Sequence, residues 1–259
     1  NRRGVEVRRG LRCRTRSFGL SIERSHRHAP RSEEASIEAV RQRPDQSPAI
    51  DRVVIFGTSL SDSGNSSIWL SQPDNAGCGT SLNVPPYDAL DELAIPDGPY
   101  AKGGHHVSNG ATWAEDMARQ LALAGIARPA FGNRSAAASN YAVFGARAVD
   151  YPCRFNLPQQ VTMYLTDFPQ TSADTLVSME FGSNEVRDAL VAAGSGGNPG
   201  LIIQNALASV GGNVVRLYQN GARRFLLPDV PPIGLTPAAR LAGPAAVAGG
   251  NLLSGLYNS

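Results

Sequence analysis

The chain has 259 residues, of which 42% are hydrophobic and 18% are charged, and its formal net charge is +2. This length and composition indicate a globular chain with one large domain or two small ones. No run of 18 or more apolar residues occurs, so the sequence predicts no transmembrane segment.

The charge is distributed unevenly along the chain. Residues 1–50 carry 12 arginines and 6 acidic side chains, whereas the remainder carries 12 basic and 16 acidic side chains. The basic segment shows no apolar core of its own, and no apolar h-region that would indicate a secretory signal follows its arginines. We interpret residues 1–48 as a disordered basic leader and residues 49–259 as the folded domain. A nucleic-acid or membrane-surface arm is the alternative for the leader, and we predict no nucleic-acid partner.

Cysteine and histidine spacing excludes the common metal sites. The three cysteines, Cys13, Cys78 and Cys153, form no C-x-x-C pair, which excludes a zinc ribbon. Cys78 and Cys153 either pair in an oxidising compartment or remain thiols. The one His-x-His, His26 to His28, lies in the leader without a nearby carboxylate cluster. We therefore predict no metal and no cofactor.

Apolar runs and helical periodicity alternate from residue 50 onward. Val53 to Ile55 form a buried strand that stops at Gly57. A long loop over residues 66–107 follows, and Ser108 or Asn109 then caps a helix whose core face carries Trp113 and Met117. The remaining elements are predicted as strands over 140–145, 176–182 and 224–227, and as helices over 158–165, about 201–218 and from Thr236 onward.

This alternation of strands and helices predicts a parallel sheet with helices on both faces. Short right-handed crossovers place the ends of successive strands at the same edge. Ser59, Gly145 and Asn184, which lie at or just after the ends of predicted strands, should therefore meet at one edge of the sheet. Ligands of open α/β sheets bind at the carboxyl ends of the strands.

The decapeptide after the first strand, FGTSLSDSGN over residues 56–65, resembles the first block of the GDSL or SGNH hydrolases, F-G-D-S-L-S-D-T-G-N. The resemblance implies that Ser59 is a serine nucleophile, and Thr58 replaces the usual Asp. The same letters recur as GTSL over residues 79–82, but no apolar strand precedes this copy and two prolines follow it. No G-x-S-x-G elbow occurs, which argues against an α/β-hydrolase.

Two further segments are similar to family blocks. NYAVFGA over residues 140–146 resembles N-F-A-x-G-G-A and aligns Gly145 with a glycine whose N–H donates to the oxyanion. GSNE over residues 182–185 resembles G-x-N-D, which implies that the Asn184 side chain is a second donor to this oxyanion hole. A weaker match, GGHHVSNG over residues 103–110, resembles G-R-F-S-N-G. The candidates that line the pocket are Asp62, Asn65, His105, His106 and Phe144.

The resemblance covers residues 50–259 and implies an α/β fold, a three-layer α/β/α arrangement with a flavodoxin-like parallel sheet. It implies an esterase or lipase that acts on a small-molecule ester, a lipid or an acylated glycan, and it weakly favours secretion. The family's Asp-x-x-His block does not occur, and no histidine follows His106. We therefore expect the last strand to be absent and the hydrolysis of p-nitrophenyl esters to be weak.

Two other functions compete with the ester hydrolase. A non-catalytic relative would bind an acylated glycan or lipid in the same cleft, which Thr58, Phe144 and the missing Asp-x-x-His block favour. A flavodoxin-like nucleotide binder would use residues 59–63 as a phosphate loop. This second alternative is disfavoured because neither GK[ST] nor G-x-G-x-x-G occurs. The sequence does not fix the oligomeric state.

Overall fold

Parallel strands in the order β1-β2-β3 form the centre of the protein. The computed structural model describes residues 49–70, 72–75, 78, 108, 110–132 and 138–259, all within one unit, Gln46–Ser259. The strands are β1 (Arg52–Gly57), β2 (Thr175–Glu180) and β3 (Arg224–Leu226). The α-helices of the described residues are α1 (Asn65–Leu70), α2 (Trp113–Gln120), α3 (Leu157–Asp167), α4 (Ser183–Gly194), α5 (Pro199–Gln219), α6 (Pro237–Leu241) and α7 (Pro244–Asn258).

Strand β1 is buried on both faces, and its side chains alternate between two hydrophobic clusters. Val54 and Phe56 pack in a cluster with residues of α3 and α5, whereas Val53 and Ile55 pack in a second cluster with Ala114 of α2. Because successive side chains of a strand point to opposite faces, helices cover both sides of the sheet. The predicted three-layer α/β/α architecture with a parallel sheet is confirmed.

The larger cluster contains three aromatic rings that bring separate segments together. Phe56 of β1 lies 5.7 Å from Tyr141 and 5.6 Å from Tyr164 of α3, measured between ring centroids, and the two tyrosine rings are 5.6 Å apart. Aromatic pairs at this separation add about 0.5–1.5 kcal/mol each beyond their buried area. The contacts fix α3 and the segment around Tyr141 against β1.

The predicted strand over residues 140–145 is reduced to two isolated parallel bridges of Asn140, with Ile55 and with Pro129. Asn140 pairs in parallel with Ile55 of β1, and Tyr141 N and Val143 N donate to carbonyls of β1. The ladder stops because the Gly57 N–H, which would donate to Tyr141 O in a continued parallel ladder, donates to the Gln160 side chain instead. The segment nevertheless runs beside β1 in the predicted direction.

Several helix boundaries differ from prediction. Helix α2 is capped by Thr112, not by Ser108, because the Thr112 side chain and Glu115 form a reciprocal capping box. Asn109 lies outside the described residues. Helix α4 was not predicted as a separate element. Beyond β3, a 3-10 turn over Ile233–Leu235 precedes α6, whose N-cap is Thr236.

Candidate active site

Ser59 lies in the tight turn that follows β1, and its side chain is half-buried. The turn closes with a hydrogen bond of 3.1 Å from Ser61 N to Thr58 O. A side chain at Gly57 would approach Ser61 Cβ to 2.9 Å, so glycine permits this close turn. Ser59 is not the N-cap of a helix, since α1 begins at Asn65.

Gln160 of α3 holds the last residue of β1 from one side. The Gly57 N–H donates to Gln160 Oε1 over 3.0 Å, and Gln160 Nε2 donates back to Gly57 O over 3.0 Å. Gln160 is fully buried, so this pair satisfies polar groups that water cannot reach. The start of the turn is therefore fixed to the helical layer.

Glu180, the last residue of β2, lies beneath the same turn. The parallel register pairs Glu180 with Gly57, and the Glu180 carboxyl accepts hydrogen bonds from Thr58 N, Thr58 Oγ1 and Ser61 Oγ. Burial raises the pKa of Glu180 to about 7, although these hydrogen bonds act in the opposite direction. No motif pointed to this residue, which lies inside the predicted strand.

Asp62 caps α1 and connects the turn to the segment that precedes Gly145. Its carboxylate accepts from Gly64 N at 2.8 Å, Asn65 N at 2.7 Å and Phe144 N at 2.9 Å. The side chain is fully buried, and this burial raises the pKa of its carboxyl group. Asp62 thus lies beneath the surface and joins the first and second motif segments.

Two buried asparagines strengthen the same junction. Asn65 Nδ2 donates to the carbonyls of Asn140 and Ala142, and Asn65 Oδ1 accepts from Phe131 N. Asn140 Nδ2 donates to Ser61 O over 2.8 Å. Asn65, like Asp62, is fully buried and contacts backbone groups of the fold.

Gly145 adopts a left-handed backbone conformation with φ +71°. The positive φ favours glycine, and a Cβ at this position would lie 2.7 Å from Arg154 Nε and displace that side chain. On the other side, the buried Arg147 donates to Gly145 O and forms an ion pair with Asp188 of α4, at 2.6 Å. Arg187 also forms an ion pair with Asp188, at 3.0 Å.

Asn184 lies in the first turn of α4, directly after β2. Its side-chain Nδ2 donates to Ala146 O over 2.9 Å, which orients the amide beside the Gly145 segment. Glu185 caps the helix by accepting from Gly182 N at 3.0 Å and also accepts from Ala148 N. Burial raises the pKa of the Glu185 carboxyl group. The β2–α4 turn is therefore bound to the residues after Gly145.

These contacts bring the three motif segments to one edge of the sheet. Asn140 and Asp62 join the first segment to the second, and Asn184 joins the second to the third. Phe144 is half-buried at the same edge. His105, His106 and the repeated tetrad over residues 79–82 lie outside the described residues.

A disulfide joins Cys78 to Cys153, with the Cα atoms 5.0 Å apart. The sequence left this pairing open. Cys153 precedes Arg154, whose Nη1 donates to Cys153 O and whose side chain covers Gly145. The disulfide is thus connected through Arg154 to Gly145, the candidate oxyanion donor.

A pocket of about 700 Å³ lies between α1 and the outer face of α3. Its described lining does not include Ser59, Gly145 or Asn184. The lining combines aromatic and apolar side chains with two carboxylates, and it includes Trp69, Phe131, Phe155, Met163, Asp150 and Asp167. An apolar group of a ligand would suit these walls.

The described residues contain no helix long and apolar enough to span a bilayer. Within the same ranges, no group of three or more His, Cys, Asp or Glu side chains is arranged to hold a metal ion.

The parallel α/β/α fold, with the Ser59, Gly145 and Asn184 segments at one sheet edge, defines the class of SGNH-type folds. The family model of GDSL-like lipases and acylhydrolases matches residues 53–259. The chain therefore belongs to the GDSL-like lipase/acylhydrolase family.

A curated relative is the phosphatidylcholine-sterol acyltransferase of Aeromonas hydrophila. It is 27% identical over 199 residues, which cover 77% of this chain and 50% of the relative. The chain thus spans about half the length of the curated relative it matches.

Proposed function

We propose that this chain is a serine ester hydrolase in which Ser59 is the nucleophile and the Gly145 N–H and Asn184 side-chain amide are the oxyanion donors. The observation that carries the proposal is the set of hydrogen bonds that joins the three segments, above all Phe144 N to Asp62 and Asn184 Nδ2 to Ala146 O. The proposed nucleophile and the two proposed donors, from distant parts of the sequence, thereby share one edge of the sheet.

In the proposed reaction, Ser59 Oγ attacks the ester carbonyl carbon and loses its proton to a base. The carbonyl oxygen becomes an oxyanion that accepts hydrogen bonds from Gly145 N and Asn184 Nδ2. Collapse of the tetrahedral intermediate expels the alcohol, which takes up a proton, and leaves an acyl ester on Ser59. Water, or a second alcohol, then takes the acyl group. The A. hydrophila relative is named as an acyltransferase, so both acceptors belong in the test.

The proposed substrates are carboxylic esters with an apolar acyl group, in a lipid or an acylated glycan. Family membership supports this substrate class. All four histidines of the sequence, residues 26, 28, 105 and 106, lie outside the described residues. The first experiment should therefore detect an activated serine directly and not depend on turnover.

A fluorophosphonate probe provides this experiment, because it forms a covalent bond with activated serines. We expect labelling of the peptide that contains Ser59 and loss of labelling in Ser59→Ala. The matched control is Ser81→Ala, which removes the serine of the repeated GTSL tetrad and should leave labelling unchanged. Labelling that survives in Ser59→Ala would overturn the nucleophile assignment. Turnover of p-nitrophenyl butyrate, with and without an added alcohol, then measures transfer of the acyl group to water and to the alcohol.

The second candidate is a non-catalytic protein that binds an acylated glycan or lipid. The pocket favours it, since its described lining does not include the three proposed catalytic positions. A folded wild-type chain that is never labelled, yet binds a fluorescent fatty-acyl ester equally well before and after Ser59→Ala, would establish this candidate instead.

A further inference from the structure

Glu180 contacts the backbone and side chains on both sides of Ser59. Its Oε2 atom accepts from Thr58 N at 3.1 Å, from Thr58 Oγ1 at 2.9 Å and from Ser61 Oγ at 3.2 Å. Trp113 Nε1 of α2 donates to the same Ser61 Oγ at 3.1 Å. The Ser61 hydroxyl therefore accepts from the indole and has its own hydrogen directed to the carboxylate.

The parallel register explains why a residue of β2 reaches this turn. Glu180 is the Cα partner of Gly57, the residue before Thr58, so its side chain lies under the start of the turn. Only 7% of Glu180 is exposed. A buried carboxyl group is costly unless hydrogen bonds compensate it, and Thr58 and Ser61 supply those bonds.

The chemistry at Thr58 and Glu180 is complementary. The family pattern places an acidic residue immediately before the nucleophile, where this chain has Thr58. Here a hydroxyl occupies that position, and a carboxylate from the adjacent strand accepts its hydrogen. The acidic group is present at the turn, but another strand provides it.

We propose that Glu180 is a positioning residue for the nucleophile turn and supplies from β2 the carboxylate that the family pattern carries at the position of Thr58. This inference rests on the proposed role of Ser59. Glu180 holds the residues that flank Ser59, and it acts on the reaction through the orientation of that turn.

The electrostatic environment makes this role dependent on pH near neutrality. Burial raises the pKa of Glu180 to about 7, and the negative charge of Glu185 on α4 acts in the same direction. Tyr257 of α7 also lies near Glu180; burial raises the pKa of Tyr257, and the charges of Glu185 and Glu180 act in the same direction. Thr58, Ser61 and Trp113 contribute no charge. The carboxylate should strengthen its bonds to the turn as the pH rises through about 7.

The test is a mutant cycle on the full chain, with the rate of fluorophosphonate labelling as the readout. Glu180→Thr and Thr58→Asp should each slow labelling by about 10- to 100-fold, the first by removing the acceptor and the second by placing two carboxyl groups face to face. The double variant Thr58→Asp/Glu180→Thr restores one carboxylate and one hydroxyl. It should label within about 3-fold of the wild type. The matched carboxylate control is Asp116→Asn on the exposed face of α2.

The pH profile separates positioning from a general loss of stability. The labelling rate of the wild type should rise with a titration near pH 7. The labelling rate of Glu180→Gln should lack that titration and keep any titration due to other groups. Wild-type rates and pH profile in Glu180→Gln, or a double variant no faster than Glu180→Thr, would overturn the proposal. If Glu180→Gln does not fold, the comparison of the double variant with Thr58→Asp decides the question.

Hydrogen exchange over residues 57–64 distinguishes this inference from the proposed function. Faster exchange in Glu180→Thr with recovery in the double variant supports the positioning role even if the wild type is never labelled, in which case only the assignment of Ser59 fails. Unchanged exchange in a labelled protein would leave the nucleophile in place and remove the role of Glu180.

Discussion

The edge of the sheet that carries Ser59 and the flank formed by α5 and α7 are stabilised in different ways. At the edge, polar side chains such as Asp62, Asn65 and Glu185 are almost fully buried and bind backbone groups of other segments. On the flank, apolar side chains remain exposed, and Leu252 of α7 is 73% exposed. Several glycines of α5 and α7 have open space where a side chain would lie.

The difference shows where this fold demands one particular geometry. A buried polar network fixes its members because the loss of one partner leaves another polar group unsatisfied, at about 1–3 kcal/mol. An exposed helical surface carries no such penalty. Substitutions should therefore be strongly destabilising at the edge, and nearly neutral or even stabilising on the flank.

The largest effect is expected from Gly182→Ala. Gly182 has φ +122°, and a Cβ there would overlap Val230 Cγ2 and the Tyr257 ring. Backbone strain and overpacking together should cost about 3–5 kcal/mol. Urea unfolding followed by circular dichroism measures the loss.

The control for Gly182→Ala is Gly196→Ala, in the α4–α5 connection. Gly196 also has a positive φ, +80°, but its Cβ would meet nothing within 4 Å. This variant should lose only the strain, about 1 kcal/mol. Equal losses in the two variants would mean that packing at the site edge adds nothing to backbone strain.

The second prediction concerns the dependence of stability on pH. The folded pKa of Glu180, about 7, lies above its ordinary value of 4.5. This group therefore contributes stability that is fully present below about pH 4.5 and is lost as the pH rises through 7. The difference corresponds to about 3 kcal/mol. Burial raises the pKa of Asp62 and Glu185 as well, so they act in the same direction.

Urea unfolding of the wild type at about pH 5 and pH 8 measures this loss. We expect the free energy of unfolding of Glu180→Gln to fall less between these two values of pH. Asp116→Asn, in an exposed ion pair with Arg119, should keep the wild-type slope. A wild-type slope in Glu180→Gln would show that Glu180 is ionised in the folded chain at both values of pH.

Sequence patterns were sufficient for the parallel sheet because β1 and β2 are mostly buried, and their apolar runs stop at or close to a glycine. The runs before Gly57 and Gly182 were identified as strands. Trp113 and Met117 of α2 pack against the hydrophobic cluster that contains Val53 and Ile55, as predicted. The Thr112 cap was missed even though Thr112 and Glu115 have the spacing of a capping box. That signal is local and could have been used.

The polar contacts beneath the site could not be predicted in the same way. Glu180 interrupts an apolar strand, but its contact with Thr58 depends on the register between β1 and β2, over a separation of 122 residues. Likewise, the pairing of Cys78 with Cys153 joins positions 75 residues apart and follows from no spacing rule. Such contacts are set by tertiary packing, so one sequence alone leaves them open.

The smallest effect is expected on the flank, where Gly211→Ala and Gly212→Ala in α5 should stabilise the protein. Both glycines are exposed inside a helix, and a Cβ at either would meet nothing within 4 Å. Alanine is favoured over glycine in a helix by about 0.5–1 kcal/mol, which thermal unfolding can resolve. The control is Gly250→Ala in α7, where a Cβ would lie 2.8 Å from Gly234 N. Because that helix packs closely on the preceding 3-10 turn, this variant should instead be destabilised. If all three variants changed the stability alike, free space around the Cβ position would not explain why the flank tolerates substitution.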